Sequence, residues 1–328
     1  MSASTPNTAP DPWPHVAAGV IRDACRRVLL SRRPQHVHQG GLWEFPGGKC
    51  EPGETARQAL IRELAEELGI AVTAAEPLIQ VRHRYPDRSV LLDVFEVTGF
   101  EGIPEGRENQ PLAWVALEEL DRHPLPAADR PIVTALRLPP RYPILEGGRT
   151  AARYQYWLEH LLATEHTLIY WRARDLDPEA YRKLLERFLP RVRQAGATLM
   201  LRADLEIPPA PGLGLGLHLD RTALARCRQR PAGWRWVAAA CHTLAELQQA
   251  QSLGLDFAVL SPVLATPTHP DARPLGWDTA GDWLQQVNLP VYLLGGLKQR
   301  HLSRARRCGA RGLAGIRAFL PEREFNYT

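Results

Sequence analysis

The sequence predicts two folded units, an α+β domain with a mixed sheet between helices, followed by an α/β barrel of the (β/α)8 type. Three observations lead to this prediction. Leucines recur at helical spacing directly after a glycine-rich segment in the first part of the chain. Short apolar runs alternate with helical stretches in the second part, as in sheets whose parallel strands are joined by helices. Leu138, Pro139 and Pro140 separate the two patterns, and the prolines break the preceding helix.

The first unit is predicted to span residues 15–138, after a loose tail at residues 1–14 that is rich in Ser, Thr, Pro and Ala. Residues 15–21 and 27–31 favour strands and enclose a polar turn, so we predict a hairpin. Further strands are predicted at 88–97 and 112–115, and a further helix around 131–138. Within residues 55–68, Ala59, Leu60, Leu64 and Leu68 recur at helical spacing, and Gly69 stands where a helix C-cap glycine belongs.

The second unit is predicted to span residues 140–328 and to contain eight strands. They are placed at 142–145, 168–171, 198–201, 216–219, 236–239, 257–260, 291–294 and 312–315. Eight strand-and-helix repeats make a compact barrel, slightly shorter than the usual range of about 200 residues or more. A doubly wound open sheet is the alternative architecture.

Composition excludes several classes of protein. A hydrophobic content of 45% with 23% charged residues excludes wholesale disorder. The net charge of +4 is small for 328 residues and no long run of like charge occurs, so polymeric nucleic acid is not expected as a partner. Five scattered cysteines suggest neither disulfides nor a zinc site. With no signal peptide and no apolar run long enough to span a bilayer, we expect a cytoplasmic protein that does not bind membranes.

Three carboxylates share one face of the helix predicted at 55–68. Glu63, Glu66 and Glu67 stand at positions i, i+3 and i+4, which are neighbours on a helix surface. Carboxylates crowded in this way repel one another unless a hard cation binds, and Mg2+ prefers anionic oxygen ligands. Gly47 and Gly48 precede the helix, and a backbone without side chains can approach a metal or phosphate closely. The pattern predicts a Mg2+ site, with Mn2+ as the alternative ion; the other interpretation is a solvated acidic helix face.

The same segment resembles the Nudix box at every defined position. The matching residues are Gly48, Glu54, Arg62-Glu63-Leu64, Glu66-Glu67 and Gly69-Ile70. The resemblance implies a Nudix fold and hydrolysis of a nucleoside diphosphate linkage by metal-activated water. It implies that the metal ligands are Glu63, Glu66, Glu67 and the Gly47 carbonyl, and that Glu54 and Arg62 hold the loop to the helix. Glu63 is our first choice for the catalytic base and Glu108 the second.

Beyond the box, the likeness covers roughly residues 15–138 and is to MutT-type 8-oxo-dGTP diphosphatases. It rests on Arg32-Arg33, His38, the run Glu44 to Lys49, Tyr85 to Arg88, and Leu125 to Pro131. It implies nucleotide contacts from Arg33, His38, Glu44, Phe45, Pro46 and Asp129. Asp129 departs from the family, which has an asparagine there to read the purine edge. An ionised aspartate only accepts hydrogen bonds, so a donor toward guanine O6 would be lost and another nucleotide becomes an alternative substrate.

The second unit resembles the thiamine-phosphate synthase and TenI family over most of residues 142–320. The matching segments are Arg172 to Asp177, Cys241 to Thr243, Ser261 to Val263, Thr266 to Thr268, and Gly295-Gly296. All follow predicted strand ends, the face on which barrel active sites lie. Thr266, Thr268, Gly295 and Gly296 are the candidate residues for binding a phosphate, so a thiamine-related phosphate compound is the implied ligand.

The synthase machinery departs from the family pattern at three places. Ala203-Asp204 replaces an Asn-Asp pair, His218 to Arg221 does not reproduce the Gly-Gln-x-Asp metal segment, and His269 replaces a lysine. Asp204 and Asp220 are the candidates to compensate. We therefore expect a nucleoside triphosphate pyrophosphohydrolase, an 8-oxo-dGTP diphosphatase that protects DNA replication, with a degenerate barrel. The alternatives are a bifunctional enzyme that also forms thiamine phosphate, or a Nudix hydrolase of another nucleotide regulated by a ligand-binding barrel. The sequence gives no indication of oligomeric state.

Overall fold

The computed structural model describes residues 13–266 and 272–320. The chain forms two compact units that divide between Arg130 and Pro131. This division lies ahead of the linker expected at residues 138–140, and the domain limits 15–138 and 140–328 stay a prediction.

The first unit is an α+β fold built on two sheets. Its strands are β1 (His15–Ile21), β2 (Val28–Arg32), β3 (Trp43–Glu44), β4 (Gly47–Lys49), β5 (Ala71–Arg84), β6 (Ser89–Glu101) and β7 (Leu112–Val115). One sheet has the order β4-β1-β6-β5 and the other β3-β2-β7. The first sheet is mixed, because β1 runs parallel to β6 while β4 and β5 run antiparallel to their neighbours. Helix α1 (Ala56–Leu68) packs on this sheet, and α2 (Arg130–Arg137) begins at the division between the units.

The predicted helix forms α1 with the expected ends and the expected buried face. The Thr55 side chain accepts a hydrogen bond from the Gln58 backbone, and Gly69 ends the helix in the left-handed conformation at φ 70°. Its buried residues are Ala59, Leu60, Leu64 and Leu68. Gly19 of β1 lies beneath the helix, and a Cβ there would stand 2.9 Å from a Leu64 methyl group. The small residue therefore lets the helix close onto the sheet.

Two features of the first unit differ from the sequence prediction. The predicted hairpin of β1 and β2 is wrong: the two strands belong to different sheets and share only one isolated bridge, Arg22 to Val28. The tight turn at Asp23–Arg27 is present, but the strands diverge beyond it because each pairs with another strand, β1 with β6 and β2 with β7. The long strand β5 was not predicted, since its mixed sequence and register shifts against β6 obscure the alternation of a strand.

The second unit is a closed barrel of eight parallel strands, so the open-sheet alternative is excluded. The strands are β8 (Arg141–Leu145), β9 (Leu168–Trp171), β10 (Thr198–Arg202), β11 (Leu215–Leu219), β12 (Val237–Cys241), β13 (Phe257–Leu260), β14 (Val291–Leu293) and β15 (Gly312–Gly315). All eight overlap the predicted segments. Large side chains fill the interior, among them Tyr142, Tyr170, Met200, Phe257 and Tyr292.

In the described residues, a helix follows each strand from β8 to β14 except β10. These helices are α3 (Ala151–Ala163), α4 (Pro178–Gln194), α5 (Arg221–Arg226), α6 (Leu244–Ser252), α7 (Gly276–Leu284) and α8 (Leu302–Arg307). Between β10 and β11 the chain makes only a short 3-10 turn, Ala203–Leu205, where the repeat would place a helix. This missing helix contributes to the small size of the barrel.

None of the helices within the described ranges has the length and apolar character needed to cross a membrane. The longest of them, α4, has 17 residues and carries charged side chains along its length. The cytoplasmic location expected from the sequence stays a prediction.

Candidate functional site

Helix α1 and strand β4 meet where the sequence places the metal ligands. The Gly47 backbone N–H donates to a Glu67 carboxylate oxygen at 3.3 Å. A Cβ on Gly48 would overlap the Glu63 carboxylate, and a Cβ on Gly47 would overlap the Ala17 carbonyl. Only glycine therefore fits at Gly47, whereas a side chain at Gly48 would displace the Glu63 carboxylate, and Glu63 and Glu67 lie directly against the strand.

Arg62 organises the outer side of this helix face. It donates to Glu54 at 3.1 and 3.0 Å and to the Lys49 carbonyl at 2.9 Å, so it ties the glycine loop to the helix as the sequence predicts. It also pairs with Glu63 at 2.9 Å and with the exposed Glu66 at 3.2 Å. Arg62 therefore holds both Glu63 and Glu66, while the contacts of Gly48 and Gly47 place Glu63 and Glu67 against the glycine strand.

Negative charge accumulates around Glu67. Burial, together with the carboxylates of Glu44, Glu108 and Glu63, raises the pKa of Glu67 to about 8 against the opposing hydrogen bond from Gly47. A cation bound beside Glu67 would offset this negative charge and favour the ionised form of the carboxylate. Glu108, the second candidate base, lies on the loop after β6, and its charge contributes to the raised pKa of Glu67.

The oxygen atoms at this site fit a hard divalent cation whose ligands come partly from the protein and partly from the substrate. Among the described residues, no group of three or more His, Cys, Asp or Glu side chains is arranged so that it could hold a metal ion by itself. Mg2+ does not require one, because it is commonly held by one or two carboxylates while waters and substrate phosphates complete its octahedron. Glu63 and Glu67, with the adjacent Gly47 backbone, could supply such a half-site. Both Glu63 and Glu66 would exchange Arg62 for the ion on binding it, and Glu66 is the more exposed of the two.

The residues expected to contact the nucleotide also come together. Arg33 donates to the His38 carbonyl at 2.9 Å and pairs with Glu44. His38 lies edge-on to Tyr85, with ring centroids 4.9 Å apart, and its Nδ1 is 3.2 Å from an Asp87 carboxylate oxygen. Phe45 and Pro46 are buried, and the Pro46 carbonyl accepts the Gly19 N–H at 2.8 Å. These contacts fix the segment that leads into the glycine strand.

Asp129 differs from the ionised group assumed from the sequence. The residue is only 6% exposed, and burial together with the charge of Glu44 raises the pKa of its carboxyl to about 8, against the opposing effects of Arg33 and the Phe45 N–H. Its Oδ2 has no hydrogen-bond partner within the described part of the chain. At neutral pH the carboxyl therefore keeps its proton and presents one donor and one acceptor, as an asparagine amide does.

The barrel contains a separate cavity of about 880 Å3 at the carboxyl ends of its strands. Arg172, Arg174, His242, Thr266 and Gly295 are among the residues that line it. Gly295 and Gly296 have φ of +101° and +65°, and a Cβ on Gly296 would overlap the Ala265 carbonyl. Thr268 lies outside the described residues. The structure thus brings Thr266 and Gly295 to one cavity. Arg172 and Arg174 line the same cavity, although the sequence did not predict a phosphate-binding role for them.

The carboxylates that might replace the synthase metal ligands are already paired. Arg202 donates hydrogen bonds to both carboxylate oxygens of Asp204, with 3.0 Å between Nε and Oδ1. These hydrogen bonds lower the pKa of Asp204. Asp220 caps α5 by accepting the Ala223 N–H at 2.9 Å and lies 3.8 Å from Arg174. Arginine thus occupies the neighbourhood of both acids, and the residues present do not fit a metal-bound diphosphate.

His218 closes the floor of the cavity as a neutral ring. It stacks on Tyr170 with centroids 4.0 Å apart, and its Nδ1 lies 2.9 Å from the Tyr142 hydroxyl. Burial, reinforced by Arg172 and Arg174, lowers the pKa of His218 to about 3. The floor is therefore aromatic and uncharged, while the positive charge lies at the rim.

Two family models match the chain, one to each unit. A NUDIX domain model matches residues 17–135, and a thiamine monophosphate synthase model matches residues 141–319. Together they account for the carboxylate helix and for the barrel cavity.

Individual relatives match one unit each. A CTP pyrophosphohydrolase of Escherichia coli (strain K12) is 43% identical over 120 residues, which is 37% of this chain and 87% of that protein. An 8-oxo-dGTP diphosphatase of Proteus vulgaris is 54% identical over 84 residues, 26% of this chain and 75% of that protein. A putative thiamine-phosphate synthase 2 of Aquifex aeolicus (strain VF5) is 27% identical over 186 residues, 56% of this chain and all of that protein.

We predict that Gly48→Ala weakens divalent metal binding by about 10- to 100-fold, because the new methyl group displaces the Glu63 carboxylate. Mn2+ binding followed by electron paramagnetic resonance measures the effect. Gly53→Ala is the control: Gly53 lies between β4 and α1, and nothing is within 4 Å of its added Cβ, so the substitution adds a methyl group and, at its φ of +84°, backbone strain without touching Glu63. Equal affinities in the two variants would contradict a metal site between β4 and α1.

Proposed function

The chain belongs to the Nudix hydrolases in its first unit and to the thiamine monophosphate synthase family in its second, and we propose that the first unit is a Mg2+-dependent 8-oxo-dGTP diphosphatase. It would convert the triphosphate and water to 8-oxo-dGMP and diphosphate, and so keep oxidised guanine out of replicating DNA in the cytoplasm. The observation that carries this proposal is the placement of Glu63 and Glu67 against the glycine strand, beside the Arg33, Glu44 and Asp129 group.

The roles of the chain's own residues follow from their positions. A bound divalent ion would polarise the triphosphate and favour ionisation of the attacking water. Glu63 and Glu67 hold the cation, and the Gly47–Gly48 backbone lets the phosphates approach without side-chain obstruction. Glu63 remains our first choice to take the proton of the attacking water, with Glu108 as the second.

Asp129 supports guanine recognition and also favours a second candidate. The protonated carboxyl can donate to guanine O6 and accept from N1–H, so the donor that an ionised aspartate lacks is restored. The same donor and acceptor also match N3 and the exocyclic amine of cytosine. A cytidine triphosphate is therefore the second candidate substrate, and the CTP pyrophosphohydrolase among the relatives adds weight to it.

For the barrel we propose a binding role, with a thiamine-related phosphate compound as the ligand. Arg174 and the left-handed Gly295-Gly296 backbone supply positive charge and N–H groups around one cavity. The pairing of Asp204 with Arg202 argues against synthase chemistry, in which a metal would neutralise the departing diphosphate. Thiamine phosphate formation by the full chain would instead support the bifunctional alternative.

The substrate prediction is tested with purified protein, Mg2+ and a panel of 8-oxo-dGTP, dGTP, CTP and dCTP. We expect the highest kcat/KM for 8-oxo-dGTP and loss of turnover in EDTA. Glu67→Gln should lower kcat by about 100-fold or more, because a metal-facing charge is lost, while Glu101→Gln, an exposed acid at the end of β6, should have no effect. The 8-oxo-dGTP assignment fails if dGTP is turned over equally well, and preference for CTP would select the second candidate.

The protonation of Asp129 predicts a pH dependence of kcat/KM that can be isolated by comparison with Asp129→Asn. Because burial places its pKa at about 8, the donor is present below that pH and lost above it. The ratio of wild-type kcat/KM to that of Asp129→Asn should therefore fall as the pH rises through about 8, by roughly tenfold for one lost hydrogen bond. Groups common to both proteins cancel in the ratio. A ratio that does not change with pH would show that Asp129 does not bind the base as a neutral acid.

The barrel prediction uses thermal shift of the full chain. Thiamine phosphate or one of its phosphorylated precursors at about 100 times its Kd should stabilise the native state by roughly 2.7 kcal/mol. Arg174→Ala should reduce this shift, and Arg187→Ala, which removes an exposed arginine of α4 that donates to Gln155, should preserve it. If wild type shows no shift with any of these compounds, the barrel does not have the proposed ligand.

A further inference from the structure

The loop after β6 is fastened to the last turn of α1. The Glu105 N–H donates to the Leu68 carbonyl at 3.0 Å, and the Arg107 N–H donates to the Glu67 carbonyl at 2.9 Å. These bonds satisfy carbonyls at a helix end that have no partner inside the helix. They also place the loop beside the turn that carries Glu67.

Gln110 forms a second connection within this arrangement. Its Nε2 donates to the Glu67 carbonyl at 3.1 Å, and its Oε1 accepts the Glu108 N–H at 2.8 Å. One amide side chain therefore joins the backbone of a proposed metal ligand to the backbone of Glu108. The side chain of Gln110 is partly buried, whereas Glu108 is exposed and lies beside Asn109, which adopts a positive φ of 59°.

The Gln110 bridge constrains Glu108 more than the other bonds do. Arg107 reaches α1 through its own N–H, and its guanidinium donates weakly to the Ala65 carbonyl at 3.4 Å. Neither bond involves the Glu108 backbone. Among the described contacts, the amide of Gln110 is the direct tie between Glu108 and the Glu67 turn.

We propose that Gln110 is a positioning residue that holds Glu108 in register with Glu67, so that the Glu108 carboxylate faces the metal and the attacking water. This inference rests on the proposed hydrolase function. A purely structural Gln110 would instead cap the helix and affect stability alone.

Removal of the amide should leave the fold intact. The Glu67 carbonyl keeps the Arg107 N–H, and the Glu108 N–H is on an exposed segment where water can replace the lost partner. Gln110→Met keeps the length of the side chain and removes both hydrogen bonds. We expect it to lower kcat by about 10- to 100-fold with little change in KM, as for other residues that orient a metal-site group.

The deciding measurement is a double-mutant cycle on the full chain with Mg2+ and the best nucleotide of the panel. If Gln110 acts through Glu108, Gln110→Met lowers kcat in the wild-type background but adds little to Glu108→Gln. Arg107→Met is the matched control, because it removes a loop-to-helix contact without touching the Glu108 backbone; it should lower Tm and leave kcat unchanged. Gln110→Asn, whose shorter side chain cannot span both backbone partners, replaces the methionine variant if that protein fails to fold.

Failure of the positioning role of Gln110 and failure of the hydrolase proposal give different results. Hydrolysis by wild type with fully additive effects of the two substitutions, or with no effect of Gln110→Met on kcat, overturns the positioning role and leaves the hydrolase proposal standing. A normal kcat in Glu108→Gln also overturns it, since Glu108 would then not act in the site. Absence of hydrolysis by wild type with every nucleotide of the panel overturns the proposed substrates themselves.

Discussion

The close contact between a bare glycine strand and a carboxylate-bearing helix is the constraint on which the first unit depends. Glu63 and Glu67 lie against Gly48 and Gly47, and any side chain on the strand would overlap a carboxylate or the neighbouring strand β1. Such contact needs the helix close to the sheet, which the small Gly19 and the buried leucines of α1 provide. The packing of the core and the proposed metal site therefore both require the same short separation between α1 and the sheet. A substitution that moves the helix would disturb both.

Glu44 links the two ends of the proposed nucleotide site. Its charge raises the pKa of Glu67 on the phosphate side and of Asp129 on the base side, while Arg33 partly neutralises it. A cation bound near Glu67 would lower the negative potential on that side. The protonation of Asp129 depends mainly on its own burial, so base recognition can persist when the charge around the phosphates changes.

The sequence predicts what local patterns determine. Helical spacing and caps defined α1, and apolar runs located all eight barrel strands, because each depends on nearby residues. The hairpin prediction failed because strand pairing depends on which distant strands compete for β1 and β2. The protonation of Asp129 and the bridge from Gln110 were also beyond the sequence, since burial and contacts between residues far apart in the chain decide them.

The two units would bind the negative charge of a phosphate ligand by different means. The first gathers carboxylates, whose mutual repulsion makes a cation necessary before a phosphate can approach. The barrel pairs its equivalent acids with Arg202 and Arg174 and keeps arginine charge at the cavity rim, so an anion can bind without a metal. In the proposed functions, metal ions that activate cleavage in the first unit therefore need not affect ligand binding in the second. A barrel that had kept free metal-binding carboxylates would depend on the same ion as the hydrolase, whereas the anion site proposed for this barrel would not.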